Sequence, residues 1–390
     1  MNFDFVIIGA GPSGLTLACA LANTKLKIAI IEKNITKNFS KPKIDGRDIA
    51  LTHRSIKILK DYGIWKFINK RNTSQIKEAR VLDGDSSKYL SFDHKNTIRD
   101  NLGCLVPNQI IRKAIYKEIK DLKNVKIFTK SEVAKIISNQ SGSKIYLKDK
   151  RIFFSKLTVI ADGRLSKIRE KMGIYANKTN FKTSMTVFRM KHKLDNYKIA
   201  SEYFHYNQTL AVLPIKKNLS SIVVTLENAK SKTFLNMSKN EINKKIEQDL
   251  KNKLGKMSIV GKKYTYPMLT VYTNEFYRER CVFLGDAAVG MHPITAHGFN
   301  LNLRGVSILQ NEIKNAIINK IDMGSANVLK NYEKKFKKVS LPIYLATNTI
   351  ASLYTSQKPI TKIARRSLLY IANKMSPIKN AIMDRLLVNN

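Results

Sequence analysis

Apolar residues fall into two spacings along this chain, and the switches between them mark out the elements. Short, mostly apolar runs at 3–8, 27–31, 125–128 and 157–160 read as strands of a buried sheet. Helical spacing predicts helices over 15–22, 54–62 and 108–122, the last with Ile111, Ile115, Ile119 and Leu122 on one face. A strand at 76–82 belongs to the same region, as does a hairpin, 134–137 with 144–147, around Gln140-Ser141-Gly142-Ser143. From about 175 to 275 the pattern changes to strands at 185–190, 200–206, 210–214, 220–226, 260–266 and 268–272, with one helix at 239–254. These predict an antiparallel sheet. The chain then re-enters the first kind of pattern through Cys281-Val282-Phe283-Leu284-Gly285-Asp286, and helices are expected at 299–319, 326–355 and 360–373.

The first strand runs straight into Gly9-Ala10-Gly11-Pro12-Ser13-Gly14 and then a helix. In such a turn Gly9 permits the tight bend, Gly11 lets backbone approach a pyrophosphate, and Gly14 lets helix pack on strand. The helix N-terminus offers unpaired N–H groups to phosphate. The second strand ends in Glu32, followed by Lys33, where this unit places a carboxylate for ribose hydroxyls. This is a dinucleotide-binding fingerprint in its expected context. Two further motifs follow in order: Ala161-Asp162-Gly163-Arg164-Leu165-Ser166-Lys167-Ile168-Arg169 at a strand end, and Gly285-Asp286-Ala287-Ala288 with His292-Pro293 and Gly298-Phe299-Asn300-Leu301.

Together these motifs resemble those of the class A FAD-dependent aromatic hydroxylases, along essentially the whole chain. Within that group they are most similar to the ubiquinone-biosynthesis hydroxylases of the UbiH/UbiF/UbiM type, and best to the UbiM-like group. Val289 stands where most relatives carry His, and Pro293-Ile294-Thr295-Ala296-His297-Gly298 replaces the commoner Pro-x-x-Gly-Gln-Gly; the UbiM-like group shares both changes. The resemblance implies an α/β fold like that of p-hydroxybenzoate hydroxylase. A Rossmann-like FAD-binding lobe (1–174 with 276–322) is then interleaved with an antiparallel-sheet substrate lobe (175–275), and 323–390 forms C-terminal helices.

It also implies the site. Gly9, Gly11, Gly14, Glu32, Lys33, Arg47, Arg112, Asp162, Gly163, Gly285, Asp286, Gly298 and Asn300 are expected to bind FAD, Asp286 through ribityl hydroxyls and Arg47 through phosphates or ring. The helix near Gly298 would aim its N–H groups at the flavin ring. His297 and Pro293 are the catalytic candidates, with a backbone-anchoring role open for both His292 and His297. The implied reaction uses NAD(P)H and O2, through a flavin C4a-hydroperoxide, to hydroxylate a polyprenyl phenol or quinol. Other ubiquinone-biosynthesis proteins are the implied protein partners. Two alternatives stay open: a flavin-dependent reductase of the same fold acting on an isoprenoid, and a non-catalytic basic flavin-fold protein at a membrane.

Composition narrows the setting. The formal net charge of +41 comes from 70 Lys and Arg spread along all 390 residues, with no accompanying nucleic-acid motif. No nucleic-acid partner is therefore expected; a solvated lysine surface or attraction to an anionic membrane is. Cys19, Cys104 and Cys281 lie far apart, which fits reduced thiols and no metal site. No apolar run reaches the ~18 residues of a transmembrane helix. The N-terminal strand carries Asp4, unlike a signal peptide. The expectation is a cytoplasmic protein, peripheral at the inner membrane through basic amphipathic segments at 358–375 and 378–387.

Overall fold

The computed structural model describes residues 1–83, 89–205, 208–293 and 297–355. Its organising layer is a sheet in which Cys281–Phe283, Ile152–Ile160, Asn2–Ile8, Ile28–Ile31 and Val125–Phe128 lie side by side and parallel. Phe5, Val6, Ile7, Ile30 and Val159 are fully buried, as expected of a parallel sheet covered on both faces. Register aligns the carboxyl ends of these strands: Ile8 lies opposite both Ile31 and Ile160, and Ile160 opposite Phe283. The glycine turn, Asp162-Gly163 and Gly285-Asp286 therefore emerge at one edge, where open α/β sheets bind ligands. Cys281–Phe283 joins from more than a hundred residues downstream, which is the interleaving the sequence pattern implies.

The second large sheet is antiparallel in the order Val289–Gly290, Met257–Thr273, Ala176–His192, Leu219–Glu227, Gln208–Lys216 and Ile199–His205. Glu78–Asp83, paired in parallel with Ile199–His205, and then Tyr89–Asp93 extend it. Helices Asn228–Asn236 and Lys239–Asp249 cover one face, with Phe234, Ile242 and Ile246 against Phe188, Met190, Ile222 and Val224. A three-stranded sheet, Asp48–Leu51, Gly103–Pro107 and Ser74–Ile76, packs against part of the other face through Ile76, Leu102 and Leu105.

Several expectations change. The single strand at 76–82 is two strands in two sheets, Ser74–Ile76 and Glu78–Asp83, so Glu78–Asp83 and Tyr89–Asp93 join the sheet of the central lobe rather than the first lobe. The strands at 260–266 and 268–272 are one, because Pro267 falls at a register shift where its missing N–H costs no ladder bond. The short strands Asp48–Leu51, Tyr89–Asp93 and Gly103–Pro107, and helix Asn228–Asn236, lacked a pattern long enough to mark them. Helix Ala326–Thr355 has the expected bounds, and His297–Ile318 starts two residues early. The helix at 360–373 and the basic amphipathic segments beyond it lie outside the described residues.

The two long helices pack where Gly305 lets Phe336 approach; a Cβ at Gly305 would sit 2.8 Å from the ring of the fully buried Phe336. Gly305→Ala should cost about 1–3 kcal/mol through overpacking. Thermal denaturation is expected to show a lowered Tm, and an unchanged Tm would contradict that contact.

Candidate active site

The glycine turn is built by close backbone approach. Gly9 has φ +106°, and a Cβ there would collide with the Ala161 carbonyl; a Cβ on Gly14 would collide with the Gly9 carbonyl. Gly11 differs. Its φ of −72° suits any residue, and a Cβ would meet only the Ala161 carbonyl oxygen, at 3.9 Å. Neither backbone strain nor packing requires glycine at 11, so the residue is accounted for by something that must come close. The helix Pro12–Ala20 has no side-chain cap, which leaves its first N–H groups facing the same space. Glu32 ends the second strand and braces the turn: one carboxylate oxygen accepts the Ala10 N–H at 2.7 Å, the other accepts from Asn34. Lys33 beside it is exposed.

The second motif packs onto the first through the Ala161 N–H, which donates to the Ile8 carbonyl at 2.8 Å. Asp162 follows with its Oδ1 buried and without a hydrogen-bond partner. Burial pushes its carboxyl pKa up, against the Ser166 hydroxyl and the charge of Arg169. Gly163, at φ +98°, has nothing within 4 Å of where its Cβ would be. The third motif closes the triangle: a Cβ on Gly285 would fall 2.7 Å from Cβ of Ser13. Asp286 is held at both oxygens, Oδ2 by the Arg164 guanidinium at 3.0 and 3.2 Å and Oδ1 by Asn302 at 2.8 Å. Arg164 also donates to the carbonyls of Leu269 and Met291, so it ties the central sheet to the loop before Pro293.

The remaining candidates separate. Arg47 pairs with Asp45 at 2.7 Å and lies over the Tyr266 ring. Arg112 donates to the Asn38 carbonyl, and Arg47 is one of the charges acting on it. Beside Arg47 opens a cleft of about 560 Å³ bordered also by Lys43, Arg189, Lys262 and Tyr264. Asn300 is committed to backbone, accepting from Thr52 N–H at 3.1 Å and donating to the Ala50 carbonyl at 2.8 Å. It fixes the helix start against strand Asp48–Leu51. Among the described residues, a Cβ on Gly298 would meet only Met291, at 3.6 Å. Pro293 is half-buried at the end of its loop, and 294–296 lie outside the described residues.

These features fit FAD: approach room at Gly11, uncapped helix amides, and an orphaned buried carboxylate oxygen at Asp162. The profile of the FAD binding domain family matches residues 2–341. Ubiquinone hydroxylase UbiM of Neisseria meningitidis is 35% identical over 99% of this chain and 85% of its own length. Ubiquinone hydroxylase UbiL of Rhodospirillum rubrum is 26% identical over 97% and 88%. The crystal structure of p-nitrophenol 4-monooxygenase PnpA from Pseudomonas putida DLL-E4 shares the fold, with TM-score 0.77 and 17% identity over 100% of this chain and 99% of that one. The chain belongs to the FAD binding domain family and, within it, to the ubiquinone hydroxylases.

In this ubiquinone hydroxylase burial favours the neutral form of both loop histidines. Burial, with Arg164 nearby, holds His292 down at about 4, and burial with Arg304 does the same for His297. His292 packs edge-on against Phe181. Near neutrality His297 can exchange hydrogen bonds but cannot serve as a cationic acid. Two residues of the site lay unremarked inside the second motif. Arg164 clamps Asp286, and the fully buried Arg169 donates to the Ala287 carbonyl at 2.8 Å. Their signal was the pair of arginines flanking Ser166, which caps the short helix carrying Arg169.

Gly11→Ala is expected to keep the wild-type Tm as apoprotein while binding FAD at least tenfold more weakly. Gly14→Ala should lower the Tm itself, because its Cβ meets backbone. Absorbance titration with FAD and thermal denaturation separate the two, and full FAD affinity in Gly11→Ala would place the phosphates elsewhere. Asp286→Ala should fold but purify with little flavin, and stoichiometric flavin in it would remove Asp286 from the site.

Proposed function

We propose that this chain is an FAD-dependent monooxygenase that hydroxylates the aromatic ring of a polyprenylated phenol or quinol intermediate of ubiquinone biosynthesis, using NAD(P)H and O2. The observation that carries the reading is the likeness to UbiM along 99% of the chain, joined to a site whose shape suits FAD. When bound, FAD supplies the redox chemistry that activates O2. The protein's own residues do the rest. Gly9, Gly11, Gly14 and the following helix receive the pyrophosphate, Glu32 the ribose, and Asp286 the ribityl hydroxyls, with Arg164 and Asn302 fixing its carboxylate. Asp162 and Gly163 border the cofactor, and Pro293, His297 and Gly298 carry backbone toward the ring.

The cleft beside Arg47, with Lys43, Arg189 and Lys262 around it, supports an approach path for an anionic nicotinamide reductant. The face of the central sheet turned toward the flavin loop carries Met185, Val187, Met268 and Val223, an apolar wall that suits a prenyl tail and excludes water from the reaction. The net charge of +41 favours an anionic membrane surface, where such a substrate partitions. No described helix is long and apolar enough to cross a membrane.

Deletion of the gene should lead to accumulation of under-hydroxylated polyprenyl phenols, read by mass spectrometry of lipid extracts. An unchanged quinone pool would overturn the reading. His297→Gln should keep FAD and slow turnover through looser positioning of the loop, and unchanged turnover would dismiss any role for that side chain.

A further inference from the structure

We propose that Glu202 is the general base that takes the phenolic proton of the substrate, an inference that rests on the hydroxylase reading above. Strand register places it. On the sheet face opposite helices Asn228–Asn236 and Lys239–Asp249, one transverse row reads Val81, Glu202, Ala211, Val223, Val187. The adjoining row, Ala79, Ala200, Leu213, Ser221, Arg189, reaches the flavin lobe, since Arg189 donates to Asp48 at 2.9 Å. On the other side Tyr266, opposite Met185, donates to the Asp45 carbonyl at 2.6 Å. Glu202 thus stands between two apolar clusters, Val81, Ala200 and Leu213 on one flank and Met185, Val187 and Val223 on the other.

The row is not closed over: Val81, Glu202 and Val223 each keep part of their surface exposed although the face looks inward. A lone carboxyl in an apolar wall has no structural task that a valine would not perform better.

Its chemistry suits a phenol. Desolvation by its apolar surroundings pushes the Glu202 carboxyl up to about 8, against the Thr209 hydroxyl, and no charged side chain among the described residues acts on it. Asp83, on the neighbouring strand two positions further along the same face, is the nearest other acid in the register, and Arg189 is engaged with Asp48. The alternatives are poor bases: His292 and His297 lie near 4, and burial raises the Tyr266 hydroxyl. A model phenol has pKa about 10, so a carboxylate near 8 is far better matched than either histidine. In the step the phenolic O–H bond breaks, its proton passes to the Glu202 carboxylate, and the electron pair stays on oxygen as phenolate, which makes the ring electron-rich. The carboxyl returns the proton to the product oxygen.

The test uses FAD-loaded wild type, Glu202→Gln and Glu202→Asp with a farnesyl-substituted phenol, NADPH and O2. Wild-type kcat/KM is expected to rise with pH and level off above about 8. Glu202→Gln should lose roughly 100-fold and the pH rise with it, while Glu202→Asp retains part of both. Flavin content and Tm report whether the variants fold. A Gln variant with wild-type rate and pH profile overturns the role of Glu202 and leaves the hydroxylase reading standing. A wild type that hydroxylates no phenol overturns both. Should Glu202→Gln not fold, infrared titration of the wild type decides: a protonated-carboxyl band disappearing with midpoint near 8 is expected, and its absence sinks the proposal.

Discussion

A close backbone contact between Gly9 and the Ala161 carbonyl sets the geometry of the whole site. It exists because residue 9 has no Cβ and adopts φ +106°. The contact locks the first strand to Ile152–Ile160 at Ile8 and Ile160, and the Leu284 N–H continues the edge by donating to the Ile160 carbonyl. Three motifs separated by more than 270 residues then share one sheet edge. Everything downstream inherits that edge, including the antiparallel sheet that leaves after Asp162 and returns at Cys281.

Within the site, the two arginines of the second motif are anchored by hydrogen bonds. Arg169 is fully buried and held by the Ala287 carbonyl, and Arg164 spreads its donors over Asp286 and two carbonyls. Removing the carbonyl acceptor of the buried Arg169 would leave a desolvated charged donor unmet, which is costly. Burial also keeps His292 and His297 neutral. The loop at Pro293 therefore adds no titrating cation to the site near neutral pH. The large positive charge of the chain belongs to its surface, where it bears on partners rather than on chemistry.

What the sequence revealed was whatever is local. Gly9, Gly11, Gly14 and Glu32 are legible because a strand, a turn and a helix within thirty residues give each a separate task. Ile111, Ile115 and Ile119 announced their helix by spacing alone. Strands that owe their existence to partners were hidden: Asp48–Leu51 has only four residues, and 74–83 divides between two sheets because its halves find different neighbours. Glu202 was invisible for the same reason. Nothing in its own strand distinguishes it; its character comes from Val81 and Ala211 on either side and from burial that no local pattern encodes. Asn300 shows the converse, a motif residue whose side chain secures backbone at Ala50 and Thr52.

In a flavin-dependent monooxygenase the new ring oxygen comes from O2. FAD-loaded protein supplied with NADPH, a farnesyl-substituted phenol and oxygen-18 gas should yield a ring-hydroxylated product carrying one labelled atom, with oxygen uptake that depends on the phenol. A product with unlabelled oxygen, or one in which a prenyl double bond has been saturated without oxygen uptake, would contradict a monooxygenase and point to another reaction on the same fold.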